Sequence, residues 1–274
     1  MKGTIRYSLL MLAAAALLAL GGCRGTGRRA AALFSGNGRS AAAAADSLAP
    51  LGAAGRGGLD ARPEAFAPGD SVPEALLASR GPAAFFSAVP VDSAVFARMS
   101  GRSYRDGCPV AVEDLRYLRV LHSDLYGRTL VGEMVANKSI AGDLLEIFRE
   151  LYDAGYPIER MRLIDDYDGD DEASMLANNT SCFNYRRKAH MSSVSRHAYG
   201  EAVDINPLYN PYYRVTAAGA RIVEPASAAP YVDRSADFPY KIERGDLCHR
   251  LFLEHGFHWG GSWTRSKDYQ HFER

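Results

Sequence analysis

Two segments of the chain carry large apolar residues at helical spacing. The first segment follows Ser139 and ends at Gly155 and Pro157. Its apolar positions are Ile140, Leu144, Leu145, Ile147, Phe148 and Leu151. Gly256 ends the second, over residues 245–255, whose apolar stripe is Leu247, Leu251 and Phe252. A period near 3.6 residues is typical of an amphipathic helix, and a glycine after the last apolar position is typical of its end. We therefore predict a helix in each segment.

Three further segments have the composition of β-strands. Residues 115–122 and 129–136 flank the turn-forming residues 124–127, and this arrangement predicts a hairpin. Another strand is predicted over residues 160–164. Strands that precede and separate helices in irregular order are typical of an α+β fold.

The N-terminus has the layout of a secretory signal. A basic stretch precedes an apolar run over residues 9–20, which is shorter than the about 20 residues that a membrane-spanning helix needs. The run ends in Leu-Gly-Gly-Cys, which resembles a bacterial lipobox, so residues 1–22 are predicted to be a lipoprotein signal peptide and Cys23 the lipidated residue. The alternative is ordinary signal cleavage with Cys23 left as a thiol. In both cases the mature chain leaves the cytoplasm, and a lipid anchor predicts a location in the bacterial cell envelope.

The rest of the chain divides by composition. Residues 23–84 are dominated by Ala, Gly, Arg, Ser and Pro without a sustained period, and are predicted to be a flexible tether. Residues 85–274 are long enough for one well-packed domain, which we expect to be monomeric. Its cysteines, Cys108, Cys182 and Cys248, lack Cys-x-x-Cys spacing, so neither a thiolate zinc site nor a redox pair is indicated, and the pattern assigns them no function.

Charge is balanced over the whole chain but not along it. The sequence holds 32 basic and 32 acidic residues. Residues 1–63 have eight Lys or Arg and two Asp or Glu, which leaves 24 basic and 30 acidic residues, a net charge of −6, for the remainder. A mildly acidic globule argues against nucleic acid as a partner. The acidic run over residues 165–171 lacks the full spacing of a calcium loop and is predicted to be a solvated turn.

The segment over residues 195–206 contains the most specific pattern of side chains. His197 and Asp204 can converge only if the backbone turns between them, and Gly200 permits such a turn. Beyond the turn, strand alternation directs Val203 and Ile205 into a core and Asp204 to the opposite face, with Ala202 and Asn206. An imidazole beside a carboxylate suits a borderline cation such as zinc.

A catalytic zinc site needs a third protein donor and a fourth position left for water. His271, near the C-terminus, supplies the donor if Phe272 packs inward on the other face of a short strand. Asp268 lies three residues earlier and reaches the same site only through a turn, where it would accept a proton from water.

These residues resemble a known family. Ser-x-His-x-x-Gly-x-Ala-x-Asp over residues 195–204, followed by Asp-x-x-His over 268–271, looks like the zinc D-alanyl-D-alanine carboxypeptidases and L-alanyl-D-glutamate endopeptidases, which share their metal site with lysostaphin-type peptidases and hedgehog domains. The resemblance extends to residues 179–186 and 259–263 and covers most of residues 110–274. It implies a small antiparallel sheet that carries the zinc site, flanked by helices, and activity on peptidoglycan stem peptides.

The resemblance also implies a role for each matching residue. His197, Asp204 and His271 match the zinc ligands, and Asp268 matches the general base, although some relatives have glutamate there. Arg186 matches the arginine that meets a substrate carboxylate or the developing oxyanion, with Arg187 as its rival, and Ser195 matches a pocket residue. The remaining histidines are interpreted as structural, with His255 and His258 the strongest rival ligands; Trp259 and Trp263 are assigned to the core ahead of the substrate wall.

Two alternatives use the same residues. A lipid-tethered wall-binding protein could keep the zinc for stability alone, but a structural zinc is more often closed by a fourth protein ligand. A zinc hydrolase could act on another amide or an ester. Between carboxypeptidase and endopeptidase action the sequence does not choose, although the insertion over residues 208–237 is expected to shape that choice.

Overall fold

The computed structural model describes residues 61–186 and 194–274. Within these ranges, helices and short strands alternate irregularly, so the predicted α+β class is confirmed. The helices are α1 (Glu74–Arg80), α2 (Ser93–Met99), α3 (Lys138–Asp153), α4 (Asp171–Leu176) and α5 (Leu247–Glu254). The strands are β1 (Ser87–Pro90), β2 (Leu115–Ser123), β3 (Thr129–Asn137), β4 (Arg160–Met161), β5 (Asn179–Thr180), β6 (Ala202–Asp204), β7 (Tyr212–Val215), β8 (Arg221–Glu224), β9 (His258–Trp259), β10 (Lys267–Asp268) and β11 (His271–Glu273).

The predicted hairpin is the longest strand pair. β2 and β3 run antiparallel in a register from Leu115 opposite Asn137 to Ser123 opposite Thr129, and β1 pairs with the other edge of β2. Asp124 closes the turn, since its carboxylate accepts hydrogen bonds from the backbone N–H of Tyr126 and of Arg128. An aspartate that bonds its own turn stabilises it, which explains why the sequence pattern located the hairpin well.

Both predicted helices are confirmed, with small shifts at their ends. α3 begins one residue before Ser139, because the Asn137 side chain accepts a hydrogen bond from the Ser139 N–H and acts as the N-cap. Asp246 caps α5 in the same way through the N–H of His249. The apolar stripes of both helices lie in the largest core cluster, together with Phe272.

Two small antiparallel sheets and one short parallel pair complete the fold. β6, β11 and β9 form one sheet in the order β6-β11-β9, and β10, β7 and β8 form another in the order β10-β7-β8. β4 pairs with β5 in parallel. The strand predicted over residues 160–164 is shorter than expected, because a 3-10 helix over Ile164–Tyr167 replaces its end.

The acidic run forms a structured turn that is only partly solvated. Asp165 is buried and accepts a hydrogen bond from the Ser103 N–H at 3.0 Å. Asp168 adopts a left-handed backbone conformation, and Asp170 caps α4 by accepting from the N–H groups of Glu172 and Ala173. Asp165 and Asp170 therefore stabilise the local backbone and Asp168 forms part of its bend, which agrees with a turn and not with a calcium loop.

The predicted boundary between tether and domain is too late in the sequence. Residues 61–84 contain α1 and bury Phe66, Val72 and Leu76 in a cluster with Phe85 and with Leu121 of β2. Arg119 of β2 also donates hydrogen bonds to the backbone carbonyls of Pro63 and Phe66. The composition of this segment hid the three buried apolar residues that anchor it, because they are widely spaced and no period connects them.

The predicted signal peptide, Cys23 and residues 23–60 lie outside the described residues. Within the part of the chain that the structure describes, no helix is both long enough and apolar enough to cross a bilayer. The anchor at Cys23 therefore stays a prediction from the sequence.

Truncating a buried side chain in the early segment tests the corrected boundary. Leu76 is 1% exposed, so Leu76→Ala is expected to lower the free energy of unfolding by about 2–5 kcal/mol, the usual cost of such a cavity. Leu125→Ala is the matched control, because Leu125 is 47% exposed and its truncation should change stability by about 0.5 kcal/mol or less. Chemical denaturation of both variants measures the difference. If the two variants are equally stable, residues 61–84 do not contribute to the folded domain and belong to the tether.

Candidate metal centre

Strand pairing brings two of the predicted ligands together. β6 and β11 run antiparallel with Asp204 directly opposite His271 and Val203 opposite Phe272. Side chains of directly opposed residues lie on the same face of a sheet, so Asp204 and His271 share one face while Val203 and Phe272 share the other. The latter two are fully buried in the main core, as the alternation predicted. Burial of one face therefore fixes the direction of the two ligands on the other.

A short 3-10 helix over Arg196–Tyr199 supplies the third ligand, His197. Ser195 caps this helix by accepting a hydrogen bond from the His197 N–H, and Gly200 ends it with a φ of +67°. A Cβ on residue 200 would lie 2.8 Å from the Asn137 N, so both the conformation and the close approach favour glycine there. The turn at Gly200 is the one that the sequence required between His197 and Asp204.

The three donor atoms form a nearly equilateral triangle. His197 Nε2 lies 3.2 Å from Asp204 Oδ1 and 3.2 Å from His271 Nδ1, and His271 Nδ1 lies 3.0 Å from Asp204 Oδ1. Zinc bonds of about 2.0–2.2 Å in a tetrahedron place ligand atoms about 3.3–3.6 Å apart, so a small expansion of this triangle would accommodate the ion. In the described ranges, this is the one group of three or more His, Cys, Asp or Glu that meets the geometry of a metal site.

Both imidazoles have partners that orient them. The Nδ1–H of His197 donates to the Cys182 carbonyl at 2.6 Å, which leaves the Nε2 lone pair directed at the triangle. The Nε2–H of His271 donates to Glu273 Oε2 at 3.2 Å and leaves Nδ1 free to bind. Hydrogen bonds of this kind fix the tautomer of a metal-binding histidine and raise its basicity.

Glu273 is a site residue that the sequence interpretation missed. It stands two residues after His271 in the same strand, and positions two apart share a face, so the spacing contained the signal. Cys182, which the sequence left without a role, contributes its backbone carbonyl to His197, while its thiol is buried and close to the Gly200 carbonyl.

Proximity of the donors strongly shifts the pKa values of Asp204 and His271. Burial opposes ionisation of Asp204, but the adjacent His197 and His271 outweigh it and hold the pKa of this carboxyl well below its usual range. Burial alone would lower the pKa of His271, yet hydrogen bonds to Asp204 and Glu273 raise it to about 10. A cation at the triangle must therefore displace a proton from His271 near neutral pH.

Asp268 stands beside the triangle but outside it. The Asp268 Oδ1 atom is buried and has no hydrogen-bond partner among the described residues. Burial raises the pKa of this carboxyl to about 7, while His271 opposes the shift and Asp204 adds to it. Gly260 allows the approach, because a Cβ there would lie 2.7 Å from the Asp268 carbonyl oxygen. A buried carboxyl oxygen that lacks a hydrogen-bond partner, next to a candidate metal site, is suited to accept a proton from water.

The donors and Asp268 line one cavity of about 920 Å³, here called the metal-site cavity. Ser195 and Arg186, which the family resemblance assigns to substrate contacts, also line this cavity. Arg186 forms an ion pair with Asp171 at the start of α4, and Asp171 accepts a further hydrogen bond from Asn184. Arg187, the rival of Arg186, lies outside the described residues.

Among the other described histidines, three have hydrogen-bond partners outside the triangle and one is exposed to solvent. His255 is bonded to Asp143 at 3.0 Å, His122 to the Ile158 carbonyl at 2.7 Å, and His249 to the Gly245 N–H. His258 is exposed on β9, and His190 falls outside the described residues. Neither His255 nor His258 therefore belongs to the three-donor group.

The two tryptophans have different roles. Trp259 is 7% exposed, packs on Phe272 and donates its indole N–H to the Tyr269 carbonyl. Trp263 lines the metal-site cavity with its ring 5.4 Å from that of His271. The assignment to the core is right for Trp259, whereas Trp263 forms part of the cavity wall.

Comparison with known proteins agrees with the C-terminal part of this site. Residues 189–274 match the family model described as D-alanyl-D-alanine carboxypeptidase. The match includes the three donors and Asp268, and it supports a peptidase. It spans less than a third of the chain and does not reach residues 179–186, where the sequence pattern had extended the resemblance. Searches among curated proteins and among solved structures found no match.

Metal binding should release protons near neutral pH. Because the pKa of His271 is raised to about 10, this residue holds a proton at pH 7 that zinc must displace, so we expect at least about one proton released per ion and tighter binding as pH rises toward 10. Calorimetric titration with Zn²⁺ in buffers of different protonation enthalpy measures the number. Glu273→Gln removes one cause of the raised pKa and should reduce the release; binding without proton release in the unaltered protein would contradict the assigned ligand set.

Proposed function

We propose that the chain is a zinc-dependent peptidase that hydrolyses the stem peptides of peptidoglycan. The observation that carries the proposal is the three-donor triangle with Asp268 in the same cavity, whose buried Oδ1 atom has no hydrogen-bond partner among the described residues. Three protein donors leave one tetrahedral position open, as catalytic zinc sites do. The family match over residues 189–274 supports the choice of a peptide bond as the target.

Zinc bound here would supply Lewis acidity, which makes water a usable nucleophile near neutral pH. Asp268 Oδ1 would accept the proton that water loses, because this oxygen is buried and no donor among the described residues bonds to it. The same carboxyl would then return the proton to the leaving amine.

Arg186 is suited to the charge that develops during attack. Arg186 lines the metal-site cavity together with the three donors and Asp268. The ion pair with Asp171 fixes one side of this planar group and leaves other N–H donors for the oxygen of the scissile carbonyl. Preorganised donors of this kind contribute on the order of 100- to 1,000-fold to turnover.

The alternative is a protein of the same cell-wall class that keeps zinc for stability and lacks turnover. A fourth protein donor would favour it, but in the described residues the group has three. A purely structural site also gives no reason for a buried carboxyl oxygen, Asp268 Oδ1, that has no hydrogen-bond partner among the described residues and lies beside a cavity of about 920 Å³. Both observations favour the enzyme.

Replacing the proposed base, Asp268, distinguishes hydrolysis from zinc binding. Asp268→Asn keeps the size of the side chain but cannot accept a proton, so hydrolysis of purified muropeptides is expected to fall about 100- to 10,000-fold while zinc stays bound. Mass spectrometry of the products measures hydrolysis and also identifies the bond: loss of one alanine indicates a carboxypeptidase, and division within the stem indicates an endopeptidase.

The control for this variant is Asp237→Asn, which changes an exposed aspartate and should leave turnover and zinc content unaltered. Full activity in Asp268→Asn would remove its assignment as base. A zinc-loaded, unaltered protein that cleaves no muropeptide would favour the wall-binding alternative.

We also propose that the protein is anchored in the cell envelope through a lipid on Cys23. A lipid anchor would hold the enzyme near its polymeric substrate, which is made outside the cytoplasm. Fractionation of bacteria that express the full chain tests this: the protein should be found with membranes, and Cys23→Ser should prevent its lipidation. A Cys23→Ser chain that is still lipidated would contradict the proposal.

A further inference from the structure

Three arginines line the metal-site cavity in the described part of the chain, and two of them have acidic partners. Arg186 is paired with Asp171, and Arg196 is paired with Glu201 at 2.7 Å. Arg214 is exposed to the cavity and has no hydrogen bond or ion pair with a described residue. A guanidinium with all of its donors available is the group that most readily binds a carboxylate, because the planar fork can donate two parallel hydrogen bonds.

Sheet register places Arg214 on the same face as the proposed base. Asp268 of β10 lies directly opposite Tyr212 of β7, so their side chains share a face, and Arg214 shares it because it follows Tyr212 by two residues. All three line the metal-site cavity, which agrees with this geometry. Two residues of a strand span about 7 Å, the length of about two residues of an extended peptide.

Glu224 disfavours binding of a substrate carboxylate at the Tyr212 end of this face and so favours binding beside Arg214. In the β7–β8 pair, Glu224 lies opposite Tyr212, and Ile222 lies opposite Arg214. An anionic group on the substrate is therefore repelled beside Tyr212, where Glu224 lines the cavity, and attracted beside Arg214. Arg214 of the β7–β8 hairpin therefore sets the position at which a substrate carboxylate binds.

We infer that Arg214 is a specificity-determining residue that binds a carboxylate of the peptide substrate, one or two residues from the scissile bond. This inference rests on the proposed function for the identity of the substrate. Arg186 and Arg214 would then have different roles: Arg186 would stabilise charge at the reacting carbonyl, and Arg214 would bind the carboxylate of the peptide. The stem peptide has two such carboxylates, one at its C-terminus and one on its D-glutamate residue.

Peptide binding tests this role without depending on turnover. The probes are the pentapeptide L-Ala-γ-D-Glu-L-Lys-D-Ala-D-Ala, its C-terminal amide and its glutamate α-amide, each titrated calorimetrically into zinc-loaded Asp268→Asn protein. Loss of the bound carboxylate removes charge-assisted hydrogen bonds, so one of the two amides is expected to bind about 10- to 100-fold more weakly than the free acid. Which amide is weaker identifies the carboxylate.

The variant Arg214→Gln, made in the same background, is expected to bind the free acid as weakly as that amide and to lose the discrimination between them. Arg221→Gln is the matched control: Arg221 is exposed in the same hairpin but lies opposite Val215, on the face away from the cavity, so discrimination should persist. Discrimination that survives Arg214→Gln would overturn the inference, as would failure of all three peptides to bind.

The outcome for Arg214 is separable from the outcome for the proposed activity. If the unaltered protein cleaves no muropeptide but binds the peptides with Arg214-dependent discrimination, the activity is refuted and the carboxylate site stands. If it cleaves muropeptides and Arg214→Gln still discriminates between acid and amide, the activity stands and the role of Arg214 is refuted.

Discussion

The site depends on the antiparallel pairing of β6 with β11. This pairing sets Asp204 opposite His271, and the burial of Val203 and Phe272 on the reverse face prevents a shift of one residue, which would turn both ligands into the core. The segment at Ser181 holds the other edge of β6 through two backbone hydrogen bonds with Asp204. The metal ligands are therefore positioned by hydrophobic packing and by backbone pairing on both sides.

The N-terminal half of the described domain supports the C-terminal site although the family match does not reach it. Asn137, at the junction of β3 and α3, donates its backbone N–H to the Gly200 carbonyl and its side-chain amide to the Tyr199 carbonyl, so it secures the turn that carries His197. Asp171 of α4 fixes Arg186, and the Cys182 carbonyl orients His197. The hairpin and the helices α1–α5 thus act on the site through backbone and side-chain hydrogen bonds and contribute none of the three candidate ligands.

The charges of the candidate site favour the binding of a divalent cation. Three carboxylates, Asp204, Asp268 and Glu273, lie around two imidazoles in a largely buried region, and in the metal-free protein a proton on His271 offsets part of the negative charge. A divalent cation would replace that proton and supply more positive charge at the same place. This arrangement would stabilise a cation with three protein donors and leave one coordination position for water.

The sequence by itself determined the hairpin, the two main helices and the candidate ligands, since these follow from local periodicity, turn chemistry and strand alternation. His197, Asp204 and His271 could be predicted because alternation around Gly200 and Phe272 shows which side chains face away from the core. Only the tertiary structure decided which charged residues are paired and which are available. The pairing of Arg186 with Asp171 and the register of Tyr212 opposite Asp268 join segments distant in sequence, and the folded segment at residues 61–84 depends on contacts with β2, so no local pattern records them.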